Sequence, residues 1–216
     1  MSTTEEFHQL YYDHACHAGY GRGLHLDTRY HGIETHKCPL DLWVFQEILH
    51  DIRPGLVIEL GTYLGGTTLF LAHQLELLGT EGHVVSVDHR PLGCPEHERI
   101  RYVNGETTAP DVLAGVSEQV AANGRRPVVV IHDADHRCTQ VLADLHAYAD
   151  FVTPGSYLIV EDTQVNGHPV LRGWGDGPME AVVRFCQERP EFVPDRSREK
   201  FLLTYNPSGY LRRAGT

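Results

Sequence analysis

Between residues 55 and 190, short apolar runs alternate with amphipathic stretches, and this rhythm constrains the fold more than any other feature. "GLVIELG" (55–61), "HVVSVD" (83–88), "IRYVNG" (100–105), "PVVVIHD" (127–133) and "SYLIVED" (156–162) read as strands. Segments 65–79, 110–124, 139–152 and 178–190 carry helical spacing, and "KFLLTYNP" (200–207) reads as a further strand. Ahead of them, "PLDLWVFQEILHDI" has the apolar stripe of a helix packed on a sheet. Continuously apolar strands separated by helices require a parallel sheet covered on both faces. No repeat, low-complexity block or Pro/Ser linker divides the 216 residues, so one α/β domain over 37–216 is expected, preceded by an irregular arm or lid over 1–36.

In such a sheet, ligands bind outside the carboxyl ends of the strands. Glu59, Asp88, Asp133, Glu161 and Asp162 all fall at those ends. The first strand turns into its helix through "ELGTYLGGTT", where Gly61, Gly65 and Gly66 permit close approach of a ligand and Thr67 and Thr68 open the helix. The spacing is GxxxGG, not the GxGxxG that seats a pyrophosphate on a helix N-terminus. Glu59 would repel a pyrophosphate but suits a cationic amino acid, and Asp88 can accept from both hydroxyls of a ribose. Together they fit S-adenosylmethionine better than a nicotinamide dinucleotide. The plain alternative is a tight turn with no ligand.

The acids after the fourth and fifth strands, in "VIHDADH" and "IVEDT", need a counter-charge. Two carboxylates at 4 Å repel by about 4 kcal/mol at an effective dielectric near 20. Converging oxygens of Asp133, Glu161 and Asp162 suit a hard divalent cation such as Mg²⁺. Asp135 could join them or cap the following helix. Capping acids and half of an ion pair are the alternative reading. A cation here would position and acidify an acceptor hydroxyl for attack on a methyl group. His136 is suited by type to take the proton, although a histidine at a helix start is often just solvent-exposed, and His168 is in reserve.

A formal net charge of −11 argues against nonspecific binding to nucleic acid or to an anionic membrane. Five dispersed cysteines without a CxxC pair resemble reduced thiols, and no apolar run follows Met1, so a cytoplasmic protein without a signal peptide is expected. Six of the fifteen histidines lie in 1–36, where a solvated arm or subunit contact is favoured over a metal site.

"KCPLDLWVFQEIL", "IELGTYLGGTTLFLA", "IVEDTQVNGHPV", "GPMEAVVRF" and "REKFLLTYNPSGYLRR" closely resemble the cephalosporin hydroxylase and rhamnosyl O-methyltransferase family over about residues 30–213. The resemblance implies a class I methyltransferase fold, a Rossmann-like three-layer sandwich whose sheet has seven mostly parallel strands with the last antiparallel. It also implies S-adenosylmethionine and Mg²⁺ as cofactors, a hydroxylated small-molecule acceptor such as a sugar, and a homo-oligomer. By this reading Glu59, Gly61, Thr62, Gly65, Gly66, Thr67, Asp88 and Asp133 hold the cofactor, with Gly105 and Glu106 near its adenine. Asp133, Glu161 and Asp162 hold the metal, and His136 with Asp133 performs catalysis. His132 stands where relatives are usually apolar, and "LRGWGDGP" (171–178) also departs from them. Two rivals remain: a cofactor-binding partner of an oxygenase that does not methylate, and an NAD-dependent oxidoreductase, against which the missing GxGxxG speaks.

Overall fold

Four of the five apolar strands, at 56–60, 83–88, 128–132 and 157–160, are buried from end to end or nearly so, whereas 100–104 at the sheet edge is half-buried to exposed; helices cover both faces of the sheet. The computed structural model describes residues 2–17 and 27–215, with side chains over 2–12 and 27–215. Gly19, Gly21, Gly23 and His25 lie outside the described residues, and His14 and His17 are described by their backbone alone. The chain runs through α1 (Thr3–His17), a hairpin of β1 (Arg29–Tyr30) and β2 (Ile33–Glu34), α2 (Pro39–Ile52), β3 (Leu56–Leu60) and α3 (Gly66–Leu77). It continues with β4 (His83–Asp88), β5 (Ile100–Asn104), α4 (Pro110–Asn123), β6 (Val128–His132) and α5 (Cys138–Tyr148). Last come β7 (Tyr157–Val160), α6 (Pro178–Glu188), β8 (Phe192–Pro194) and β9 (Tyr210–Arg213).

Seven strands form the main sheet in the order β5-β4-β3-β6-β7-β9-β8. All pairs from β5 to β7 are parallel, and β9 is antiparallel to both of its neighbours. The last strand of the chain is therefore the reversed one, as expected. Its position differs from the expectation: 200–207 forms turns, and the strand begins at Tyr210. The cause is Asp41 of α2, whose carboxylate accepts from Thr204 Oγ1 (2.6 Å) and Tyr205 N (2.8 Å) and draws 204–205 out of any ladder.

Strand alternation decides which acids meet which helices. Leu56, Ile58, Leu60, Val128 and Val130 face the layer built by α4, α5 and α6. Val57, Val84, Val129, Ile131 and Ile159 face α2 and α3. By the same parity Glu59, Asp133 and Glu161 turn towards α2 and α3, whereas His132 turns towards α5. There His132 Nε2 lies 2.9 Å from Asp144 Oδ2, and both side chains are buried. That contact accounts for a histidine at an apolar strand position, since a buried polar ring needs a partner. No helix among the described residues is long and apolar enough to cross a membrane.

Candidate active site

A cavity of about 840 Å³ opens at the carboxyl ends of the central strands. Its floor on the β3–β4 side is shaped by Gly61, whose φ of +97° belongs to the left-handed region. A Cβ there would lie 1.9 Å from the Asp133 carbonyl oxygen, so only glycine lets the turn pass the end of β6. The turn then brings two backbone N–H groups onto Asp88: Oδ2 accepts from Thr62 N and Tyr63 N, both at 2.9 Å, and Oδ1 accepts from Arg90 N at 2.7 Å. Asp88 is thereby fixed in the wall. Of the residues expected on the cofactor side, Gly61, Thr62, Gly66, Thr67, Asp88, Gly105, Glu106 and Asp133 line the cavity.

Two expected cofactor residues do not. Glu59 is 1% exposed beneath the turn, where Oε2 accepts from Thr68 Oγ1 (2.5 Å) and Ser86 Oγ (2.6 Å). Its strand parity, which points it at α3, is the reason. Burial pushes its pKa up to about 7 despite those hydrogen bonds and the Lys37 charge. Gly65 faces away from the cavity; a Cβ there would meet Pro95 Cδ at 2.8 Å and Tyr102 Oη at 3.1 Å. Gly66 lines the cavity, but its bare Cα also makes room for the hairpin, since a Cβ would lie 2.5 Å from Thr35 Oγ1.

On the β6–β7 side, Asp133, His136 and Asp162 bring one ligand atom each within 4.8 Å of one another. Among the described residues no other such group of three occurs. His136 Nε2 lies 2.7 Å from Asp162 Oδ2, with the imidazole donating. Burial opposes its protonation, but the Asp162 hydrogen bond and the charges of Asp162 and Asp133 prevail and raise its pKa to about 9. Asp162 has a φ of 55°, uncommon for a residue with a side chain. The C-terminal segment holds it there. Asp162 N donates to Asn206 Oδ1 (3.1 Å), Thr163 Oγ1 to the Pro207 carbonyl (2.6 Å), and Val160 N to the Gly209 carbonyl (2.8 Å).

Glu161 stands apart from the expected convergence. It is 4% exposed, outside the cavity wall, and Oε2 is 2.6 Å from Lys37 Nζ, which also donates to Asp133 Oδ2. Burial raises the Glu161 pKa well above the usual carboxylate range, and Asp133 adds to this while Lys37 opposes it. Its other oxygen, Oε1, is buried without a hydrogen-bond partner. Such an atom is costly unless a ligand or ion completes it. Two carboxylates, an imidazole and this orphaned oxygen form a donor set that fits a hard divalent cation.

The reserve base His168 is not in the cavity wall; its Nε2 lies 2.9 Å from Glu180 Oε1, and Glu180 Oε2 caps α6 by accepting from Gly177 N. Asp135 pairs with Arg137 instead of joining the trio. Sequence reasoning missed Lys37, although it is one of only two lysines in the chain and directly precedes a Cys-Pro helix start. It also missed Asn206, Tyr205 and the buried Asp144, which no local pattern marks. Trp174 and Leu171, exposed on the loop 163–177, form the outer wall near the trio. α1 leans on the same loop, with His8 bonded to Gln164 and Gln9 Nε2 donating to the Pro169 carbonyl (3.0 Å).

The architecture is that of solved CmcI structures. An apo structure of CmcI superposes with a TM-score of 0.70 at 18% identity, covering 91% of this chain and 80% of the other. A CmcI structure with Mg and SAM gives 0.68 at 20% identity, covering 93% and 83%. These likenesses define the class by fold, a class I methyltransferase sheet. A profile of the Rhamnosyl O-methyltransferase/CmcI family matches residues 22–214. Rhamnosyl O-methyltransferase of Mycobacterium leprae is 36% identical over 220 residues, covering 98% of this chain and 91% of the relative. The protein of the same name from Mycobacterium bovis is 34% identical over 219 residues, covering 98% and 85%. The chain belongs to the Rhamnosyl O-methyltransferase/CmcI family.

Proposed function

We propose that the protein transfers a methyl group from S-adenosylmethionine to a hydroxyl of a sugar or related natural product, with a divalent cation as cofactor. The observation that carries the reading is a single cavity lined by both a cofactor wall around Asp88 and the Asp133–His136–Asp162 trio. The name shared by relatives at 34–36% identity supports a rhamnosyl acceptor. The net charge of −11 supports a small neutral acceptor over nucleic acid or an anionic membrane surface. A cytoplasmic setting and a homo-oligomer remain the expectations for its place and assembly.

Asp88 would accept from the ribose hydroxyls, and the backbone of Gly61 and Thr62 would pass beneath the methionine part. Asp133 and Asp162, with Glu161 beside them, would hold the cation. When bound, the cation supplies acidification and positioning of the acceptor hydroxyl. The cofactor would supply the methyl group, its methyl–sulfur bond exchanged for a methyl–oxygen bond with S-adenosylhomocysteine as the leaving group, and His136 would take the hydroxyl proton. Against the effect of burial, the Asp162 hydrogen bond and the charges of Asp162 and Asp133 hold a proton on His136 at neutral pH, with its pKa raised to about 9. It can take a proton only when positive charge offsets them, so the base and the cation act together. A second reading makes His136 a ligand, favoured by its place within 4.8 Å of both acids; His136→Ala would then lose cation affinity as well as turnover.

The test is transfer of a labelled methyl group to a panel of alkyl and aryl rhamnosides, with other glycosides as controls. Labelled product on a rhamnoside is expected. Tight NAD binding without S-adenosylhomocysteine binding, or cofactor binding without transfer to any glycoside or other hydroxylated natural product, would contradict the reading.

A further inference from the structure

Lys37 is a buried cation with no place in the transfer chemistry above. Its side chain is 4% exposed, and its ammonium donates to Asp133 Oδ2 and Glu161 Oε2 at once. Asp133 is also a member of the trio that fits a divalent cation. The ammonium occupies Asp133 Oδ2 and Glu161 Oε2 and leaves Glu161 Oε1 free, so a divalent cation on the same two carboxylates would lie close against the ammonium. Two cations against one another in a buried site repel strongly, because little water screens them. Conversely, without a metal the two acids would be uncompensated if Lys37 left, which is among the costliest arrangements in a protein interior.

Lys37 is also tied to a piece of the cavity wall. Its backbone N–H donates to Thr28 Oγ1 (3.0 Å), and Thr35 N donates to the Thr28 carbonyl (3.0 Å). Glu34, Thr35 and His36 line the cavity, and the His36 ring lies 4.8 Å from that of Tyr63 on the cofactor turn.

We propose that Lys37 is the resident counter-ion of the metal centre: its ammonium leaves Asp133 and Glu161 when a divalent cation enters. Lys37 thereby sets the metal affinity and couples metal loading to the 28–37 segment of the wall. The proposal rests on the metal half of the proposed function.

Calorimetric titration with Mg²⁺ alone, on the full chain and its Lys37→Met variant, tests it. The variant is expected to bind Mg²⁺ at least about tenfold more tightly, since no cation has to be displaced. Its melting temperature should fall without metal and rise more than that of the native protein when Mg²⁺ is added. Equal or weaker Mg²⁺ binding by the variant would overturn the proposal alone, making Lys37 a fixed brace. Binding to neither protein would overturn the metal assignment along with it. If the variant does not fold, hydrogen exchange of the native protein decides: Mg²⁺ should speed exchange across 28–37, and unchanged or slower exchange there would overturn the proposal.

Discussion

The two halves of the cavity are built on opposite terms. On the β3–β4 side, Asp88 is held by three backbone N–H groups from residues close to it in the fold's first crossover, and the wall is complete without any ligand. On the β6–β7 side, Asp162 sits at a positive φ, Glu161 Oε1 has no partner, and the charge of Asp133 and Glu161 is offset by a lysine from another part of the chain. One half is finished; the other holds a strained backbone, an unpartnered carboxylate oxygen and charge balanced only by a distant lysine. Such features collect where a site must accept a charged ligand and move a proton.

The largest expected effect breaks the second half alone. His136→Ala should lower kcat by about 10²–10⁴-fold, the usual contribution of a general base, while S-adenosylhomocysteine affinity is unchanged in calorimetry. His168→Ala, which removes a ring bonded to Glu180, serves as the control and should turn over normally. A dead His168 variant beside an active His136 variant would reverse the assignment.

The next effect concerns Glu59, the buried acid beneath the cofactor turn. Its pKa of about 7 in the fold exceeds the unfolded value of 4.5, so the folded state binds more protons. Its contribution to stability is therefore fully present below about pH 4.5 and is lost as pH rises through about 7. The size is on the order of 3 kcal/mol, from about 1.36 kcal/mol for each pKa unit. Urea unfolding of native protein and Glu59→Gln across that window should show the loss only in the former. Parallel pH slopes would mean that Glu59 stays charged and solvated.

Asp88→Ala sharpens the contrast from the other side. It should weaken S-adenosylhomocysteine binding by about 1.5–3 kcal/mol, the range for hydrogen bonds to a charged group, and leave Mg²⁺ affinity alone. An equal loss of both would show that the halves are not separate. Smaller still is the effect of Asn206, whose side-chain oxygen accepts the Asp162 N–H. Asn206→Ala should weaken Mg²⁺ binding by about 1 kcal/mol, and Asn206→Asp, which keeps an acceptor at that place, should recover part of it. Identical Mg²⁺ titrations for native protein and Asn206→Ala would remove the C-terminal clamp from the account.

The same contrast explains what could be read from the sequence. The sheet, its order of elements and the wall around Gly61 and Asp88 follow from local pattern, because strand periodicity and a glycine turn act over a few residues. The acids at the strand ends were legible for the same reason. Glu59 was misplaced because its position at a strand end marks it as a ligand, whereas pleat parity turns it under the sheet. The strand expected at 200–207 was lost to Asp41, more than 150 residues earlier in the chain. Lys37 and Asn206 were invisible because their partners are set by tertiary closure, which no spacing within either segment encodes.

The β6–β7 half of the cavity should work only with a divalent cation in it. Methyl transfer from labelled S-adenosylmethionine to a rhamnoside acceptor, measured in excess chelator and again after Mg²⁺ is restored, tests this most directly. No turnover in chelator and recovery with Mg²⁺ are predicted, together with loss of that recovery in Asp162→Asn. Full turnover in chelator would show that Asp133, Glu161 and Asp162 are structural acids balanced by Lys37, and that the transfer needs no metal.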